Sequence, residues 1–134
     1  YTDFCFFFNN NLKKKVMTNL PLYYDYKNFL NHSSMSTSSI IVKREILDNI
    51  VFKKVNHEDY LFKCELLRKG EIAYKSEDTY VYYRINKDNR SSSKIKNILG
   101  LWKINKKENN LKFLANLKSI FLIGLNSLKK YGWK

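Results

Sequence analysis

The stretch Asn56–Gly70, NHEDYLFKCELLRKG, carries the clearest helical pattern in the chain. Tyr60, Cys64 and Leu67 follow one another at the i, i+4 and i+7 spacing of one helix face. Gly70 stands where a glycine commonly ends a helix, directly after two basic residues that favour a last helical turn. The pattern therefore predicts an amphipathic helix that begins at the start of this stretch.

Two adjacent carboxylates, Glu58 and Asp59, fall in the first turn of this predicted helix. The partial positive charge at a helix N-terminus stabilises ionised carboxylates and tends to lower their pKa values. A carboxylate held in this way can accept a proton from an incoming hydroxyl. Acidic residues also occupy first turns simply because they stabilise the helix, and these residues alone favour that structural interpretation.

Composition predicts one modest folded domain, because 44% of the 134 residues are hydrophobic. The net charge of +13 favours a polyanionic partner, namely nucleic acid, an anionic membrane or a phosphorylated substrate, or else reflects a solvated lysine-rich surface. Cys5 and Cys64 lie in apolar patterns typical of small buried residues, and the cysteines and histidines lack metal-binding spacing. No continuous apolar segment is long enough for a membrane-spanning helix.

Strands and helices are both predicted along the rest of the chain. The predicted strands cover residues 4–8, 40–42, 71–74 and 79–85. The further helices cover residues 23–30, 43–49, a segment from near 93 to 102, and 111–130. Turns or loops are predicted at residues 9–11, 13–15, 86–93 and 103–110. Aromatic residues fall on both faces of the 79–85 strand, so we expect both of its faces to be covered.

Two polar features adjoin predicted strands. The hydroxyl-rich segment His32–Ser39 directly precedes the apolar residues 40–42, and open α/β sheets often place ligands at such a position. Arg84 ends another strand and could hold a phosphate or a carboxylate. A solvated loop and a surface ion pair are the respective alternatives.

The last predicted helix has an apolar stripe and a basic remainder. The stripe consists of Leu114, Leu117, Phe121, Leu125 and Leu128. A basic amphipathic helix of this type can lie in a membrane interface. Packing on its own domain or on a neighbouring chain is the alternative, and it is favoured because packed helices are amphipathic by default.

The order of the motifs gives a family resemblance. A Thr-Ser-Ser segment precedes Ile-Ile-Val, a Lys-Arg-Glu-Ile-Leu helix follows, Glu-Asp-Tyr starts a helix that ends in Lys-Gly, and Tyr-Tyr-Arg-Ile closes a strand before a serine-rich loop. Over residues 1–102 this order resembles the C-terminal half of family 2 glycosyltransferases, which build bacterial surface polysaccharides. The resemblance implies an α/β fold, with a partial GT-A-like (Rossmann-like) mixed sheet flanked by helices over residues 1–92 and a C-terminal helical extension over residues 93–134.

The resemblance also implies roles for individual residues. Asp59 would be the general base that deprotonates the acceptor hydroxyl, and Glu58 would help to place or bind the acceptor. Arg84 would contact the diphosphate or an anionic acceptor. The substrate-binding residues implied in this way are Thr37, Ser38, Ser39, His57, Tyr83 and Arg84.

The implied reaction is an inverting transfer of a sugar from a nucleotide-sugar to a cell-surface polysaccharide or a lipid-linked acceptor. A divalent cation, Mg²⁺ or Mn²⁺, is expected in the complete enzyme, where an Asp-x-Asp motif usually holds it. This chain contains no Asp-x-Asp motif and no N-terminal βαβ half, so no metal ligand is assigned within it. We expect the chain to be the acceptor-side portion of the enzyme and to be inactive alone.

Partners and location follow from the same interpretation. We expect a cytoplasmic protein, with peripheral contact to the inner face of the membrane through residues 111–134 and with self-association as a further option. The alternative function is a non-catalytic basic module that binds anionic membrane or nucleic acid, and a third is a degenerate paralogue retained for interaction. Nucleic acid is disfavoured because no nucleic-acid-binding motif is present.

Overall fold

A computed structural model describes residues 1–8, 11–77, 79–85 and 94–131. The chain is a mixed α/β structure, as the sequence predicts. The strands are β1 (Asp3–Phe8), β2 (Asn11–Met17), β3 (Tyr23–Tyr24), β4 (Ala73–Tyr74) and β5 (Tyr80–Ile85). The helices are α1 (Tyr26–His32), α2 (Glu58–Arg68), α3 (Lys94–Lys107) and α4 (Phe113–Tyr131). The predicted turn at 9–10, the serine-rich loop at 86–93 and Trp133 lie outside the described residues.

The larger sheet has the strand order β2-β1-β5. Strand β1 pairs antiparallel with β2 and parallel with β5, in register from Asp3 opposite Tyr80 to Phe8 opposite Ile85. A parallel pair needs a long crossover connection, and here the chain between β2 and β5 supplies it with α1 and α2. A second, two-stranded sheet joins β3 to β4 within that crossover.

Helix α2 forms the centre of the structure. One side packs against Phe29 and Ile104 in the main core, and the other packs Phe62 against Ile50. Seven of the eleven α2 residues are buried, so the helix is covered on more sides than an amphipathic pattern implies. Gly70 follows the helix with φ of 92°, a left-handed conformation that favours glycine, and this confirms the predicted end of the helix.

Cys5 and Cys64 form no disulfide with each other and are fully buried, as the sequence predicts. Burial raises the pKa of the Cys64 thiol to about 11, against opposing contributions from Asn109, Tyr60, Arg68 and Lys63. The thiol is therefore protonated at neutral pH and packs as a small apolar group.

Three local predictions were wrong. Residues 40–42 do not form a strand, because residues with high strand propensity form one only where a neighbouring strand can pair with them. Ile40 and Val42 pack against the cluster around Phe62, whereas Ile41 is 97% exposed. The lysines of residues 13–15 belong to β2 rather than to a loop, because pairing with β1 outweighs their weak strand propensity at a sheet edge. Tyr80, Tyr82 and Tyr83 are 42%, 50% and 39% exposed, so the described residues do not cover both faces of the edge strand β5.

The helix boundaries also differ in part from the predictions. Tyr23–Tyr24 forms β3, and Asp25 then caps α1 by accepting a hydrogen bond from the Asn28 backbone N–H at 2.6 Å. The predicted 43–49 helix is reduced to a 3₁₀ turn at Arg44–Leu47. The predicted break at 103–110 is displaced, because α3 continues to Lys107 and buries Ile104.

Helix α3 shares the main core with α2 through Ile104, and α4 packs on α1 and α3. Residues on both sides of the predicted division at 92/93 therefore contribute to one core. The assignment of residues 1–92 and 93–134 to separate units stays a prediction.

Candidate active site

The first turn of α2 carries the candidate acidic pair. Helix α2 begins at Glu58, so both carboxylates occupy its first turn as predicted. His57 caps the helix in a left-handed backbone conformation with φ of 61°, which is uncommon for a residue other than glycine. Its carbonyl oxygen accepts the backbone N–H groups of Tyr60 and Leu61 at 3.1 and 3.2 Å.

The His57 imidazole lies directly against Gly100 of α3. A Cβ atom at Gly100 would stand 2.4 Å from His57 Cδ2 and 2.6 Å from Nε2. Nε2 is buried and has no hydrogen-bond partner among the described residues. The absence of a side chain at Gly100 therefore allows α3 to pack closely against the His57 ring at the start of α2.

Asp59 is held by two side chains. Lys63 Nζ and Thr37 Oγ1 each lie 3.4 Å from Asp59 Oδ2, and they lie 3.2 Å from each other. Lys63 follows Asp59 by one helical turn, and its Nζ also donates to the Met35 carbonyl oxygen at 2.8 Å. The Lys63 side chain is 4% exposed, whereas that of Asp59 is 51% exposed. The Asp59 carboxylate is therefore accessible to solvent, while the Lys63 ammonium group that contacts it is buried.

The electrostatics keep Asp59 ionised at neutral pH. Burial acts to raise the pKa of Asp59, but Lys63, the Tyr60 backbone N–H and His57 together lower it below its ordinary value. Burial in turn lowers the pKa of Lys63, while Asp59 opposes that change. Asp59 can therefore accept a proton, although its basicity is low until a ligand displaces water from it.

The three predicted hydroxyl residues have different surroundings. Thr37 contacts Asp59 and Lys63, as described above. Ser38 is exposed. Ser39 is buried; its Oγ donates to the Ser36 carbonyl oxygen at 3.0 Å, and its own carbonyl oxygen accepts the Thr2 backbone N–H at 3.0 Å. The structure thus joins Thr37 to Asp59, while Ser39 connects the turn to the residue before β1.

Tyr83 and Arg84 lie on β5, and that strand contacts the 3₁₀ turn Thr37–Ser39. The Tyr83 ring centroid is 6.1 Å from that of Phe4, and Arg84 is exposed. The predicted substrate-binding residues are therefore distributed over neighbouring elements. Their roles stay predictions.

An open cleft of about 470 Å³ lies between α3 and the segment just before α2. Its lining includes Asn56, Gly100 and the cationic residues Lys96, Lys103 and Lys107. Asp59 is not part of this lining, so the candidate base lies outside the cleft.

Lys63 is the site residue that the sequence interpretation missed. It follows Asp59 at the i, i+4 spacing that lets opposite charges meet on a helix, and it stands between the apolar residues Phe62 and Cys64. A lysine in a buried helix needs a partner, so the Asp59–Lys63 spacing could have indicated the pair.

The donor set does not fit a metal ion. Within the described parts of the chain, no three His, Cys, Asp or Glu side chains come close enough together to hold one. The carboxylate oxygen of Asp59 also faces the Lys63 ammonium, which repels a cation. No step of a reaction is therefore assigned to a metal at these residues.

Comparison with known proteins gives one informative similarity. The chain is 28% identical over 109 residues to an uncharacterized glycosyltransferase of Haemophilus influenzae. The match covers 80% of this chain and 43% of that protein, so the chain spans less than half the length of the relative. No protein-family model matches the chain. No solved structure matches it. The similarity supports a relationship to glycosyltransferases.

Proposed function

We propose that this chain is the acceptor-side portion of a family 2 glycosyltransferase with a GT-A fold, in which Asp59 is the general base. The observation that carries the proposal is the half-exposed Asp59 carboxylate, which contacts the buried Lys63 ammonium and the Thr37 hydroxyl. The similarity to a glycosyltransferase over most of the chain gives independent support for the reaction class.

The proposed step is an inverting displacement. The acceptor hydroxyl oxygen attacks the anomeric carbon of the donor sugar, its proton passes to Asp59, and the nucleoside diphosphate leaves with the electrons of the broken bond. An acceptor seated over Asp59 removes water from a carboxylate that is 51% exposed in the free protein. This desolvation raises the pKa of Asp59 and strengthens it as a base at the moment of transfer.

The remaining predicted residues are assigned to substrate binding. The contact of Thr37 with the proposed base supports its assignment to the acceptor. Glu58 and His57 border the same helix start, and Arg84 supplies positive charge on β5 for a diphosphate or an anionic acceptor. The donor, and the Mg²⁺ or Mn²⁺ of the complete enzyme, are assigned to residues outside this chain.

The test compares two carboxylate-to-amide variants, Asp59→Asn and Asp48→Asn. Asp48 is exposed and lies outside the site, so it is a matched control. The chain is expressed with any coding sequence that adjoins it in its gene, and nucleoside diphosphate release is measured with a panel of nucleotide-sugars. We expect Asp59→Asn to lower turnover by about 100-fold or more and Asp48→Asn to leave it unchanged. Full activity of Asp59→Asn would remove the base assignment, and no release with any donor would remove the reaction class.

A further inference from the structure

Helix α4 is oriented with its polar side toward the protein. Asn116 and Ser119 are each 1% exposed, whereas Leu114 and Phe121 are 77% and 64% exposed. A surface helix normally buries its apolar side, so α4 has the reverse arrangement.

Hydrogen bonds to α3 and α1 fix this orientation. Asn105 Nδ2 donates to Asn116 Oδ1 at 3.1 Å and to Ser119 Oγ at 3.2 Å. Asn116 Nδ2 donates to the Trp102 carbonyl oxygen at 3.1 Å, and Ser119 Oγ donates to the Leu30 carbonyl oxygen. Near the other end of the helix, Asn126 Nδ2 donates to the Asn31 carbonyl oxygen at 3.2 Å. Turning α4 to bury its leucines would leave these groups without partners.

The outward side of α4 is a continuous apolar surface, which we call the α4 stripe. Its members are Leu114, Leu117, Phe121, Leu125 and Leu128, and their exposed fractions run from 39% to 77%. At 100° per residue these positions fall within an arc of about 80°, and they extend over about 21 Å of helix. Contiguous exposed apolar surfaces mark interaction sites.

The charge of the surrounding helices indicates the kind of partner. Neither α3 nor α4 contains an Asp or a Glu. Their lysines with described side chains are all exposed, namely Lys96, Lys103, Lys106, Lys107, Lys118 and Lys129. The chain as a whole has a net charge of +13. A second copy of the chain would bring lysines against lysines, whereas an anionic lipid surface complements them. Among the described residues, no helix has both the length and the apolar content required to cross a bilayer.

We propose that the α4 stripe inserts into the interface of an anionic lipid bilayer, with the helix axis in the membrane plane and the lysines at the headgroups. The proposal rests on the orientation and charge of α4 and goes beyond the catalytic assignment of Asp59. If both hold, the candidate base would work on acceptors presented at a membrane surface.

Vesicle co-sedimentation tests the proposal with the full chain. The variant Leu117→Gln/Phe121→Gln changes two stripe residues that are 50% and 64% exposed, so we expect it to fold like the wild type. The matched control is Ile41→Gln/Ile72→Gln, which changes two apolar residues that are 97% and 45% exposed elsewhere on the surface. Vesicles contain phosphatidylcholine alone or phosphatidylcholine mixed with phosphatidylglycerol.

We expect the wild-type chain and the control to bind the phosphatidylglycerol vesicles more tightly than the neutral ones. The stripe variant should lose about tenfold or more in partitioning, since two large apolar side chains no longer leave water. Equal binding of the wild type and the stripe variant would overturn the proposal, and so would failure of the wild type to bind. A wild-type dimer in light scattering that becomes a monomer in the stripe variant, without vesicle binding, would assign the stripe to self-association instead.

Discussion

Replacing Asn105 should destabilise the protein, because its side chain links three helices through buried hydrogen bonds. Its side chain is fully buried and joins four partners. Oδ1 accepts from Tyr60 OH at 2.8 Å and from Asn109 Nδ2 at 3.0 Å, while Nδ2 donates to Asn116 and Ser119. Burial raises the pKa of Tyr60, so its hydroxyl remains a protonated donor at any working pH.

The substitution Asn105→Leu keeps the branched shape and the number of non-hydrogen atoms of the side chain and removes all four hydrogen bonds. Each net hydrogen bond contributes about 1 kcal/mol, so the free energy of unfolding should fall by about 4 kcal/mol. A domain of this size is usually stable by about 5–15 kcal/mol, so a loss of this size is easily measured.

Urea denaturation followed by far-ultraviolet circular dichroism measures this loss. The control is Asn19→Leu, which makes the same chemical change at an exposed position. The free energy of unfolding of the control should change by no more than about 0.5 kcal/mol. If Asn105→Leu were as stable as the control, the hydrogen bonds that hold α4 in its reversed orientation would not be energetically significant.

Two further predictions concern the site. Gly100→Ala should lower the melting temperature, because the new methyl group would stand 2.4 Å from His57 Cδ2. The control Gly124→Ala should raise the free energy of unfolding by about 0.5–1 kcal/mol, since a Cβ there meets nothing within 4 Å. Equal melting temperatures of the two variants would contradict the close approach of His57 to α3. Lys63→Met should raise the pKa of Asp59 in a carbon-13 NMR titration, because the neighbouring cation lowers it in the wild type. The unfolded chain binds the Asp59 proton more tightly than the folded chain does, so the stability from ionised Asp59 is lost as pH falls below about 4. An unchanged Asp59 pKa in Lys63→Met would show that Lys63 does not act on the carboxylate.

The sequence predicted best those elements whose signals are local. Helix α2 was placed correctly because its buried positions, its acidic first turn and the terminal Gly70 lie within one segment. Strand β1 was correct for the same reason, as a continuous apolar run. Residues 13–15 and 40–42 were assigned wrongly because strand formation depends on a neighbouring strand, which the local residues do not reveal.

The candidate site was predicted in part. The resemblance assigned Thr37 to substrate binding and Asp59 to catalysis, and in the structure the two side chains are in contact although 22 positions separate them. Local patterns alone could not indicate that contact, because it depends on how the loop before α2 folds back. The orientation of α4 could not be predicted from the sequence pattern either. The pattern defines a polar and an apolar face of the helix, but the hydrogen-bond partners of Asn116 and Ser119 determine which face is buried.

The buried amide network connects the two surfaces for which functions are proposed. At one end it holds Asn116 and Ser119 of α4, and so it determines that the α4 stripe faces outward. At the other end it holds the hydroxyl of Tyr60, the residue that follows Asp59 in α2. One set of hydrogen bonds therefore fixes the candidate base relative to the candidate membrane surface. Asn105→Leu should accordingly weaken vesicle binding although the residue is inaccessible to lipid, because α4 would no longer be held with its leucines outward.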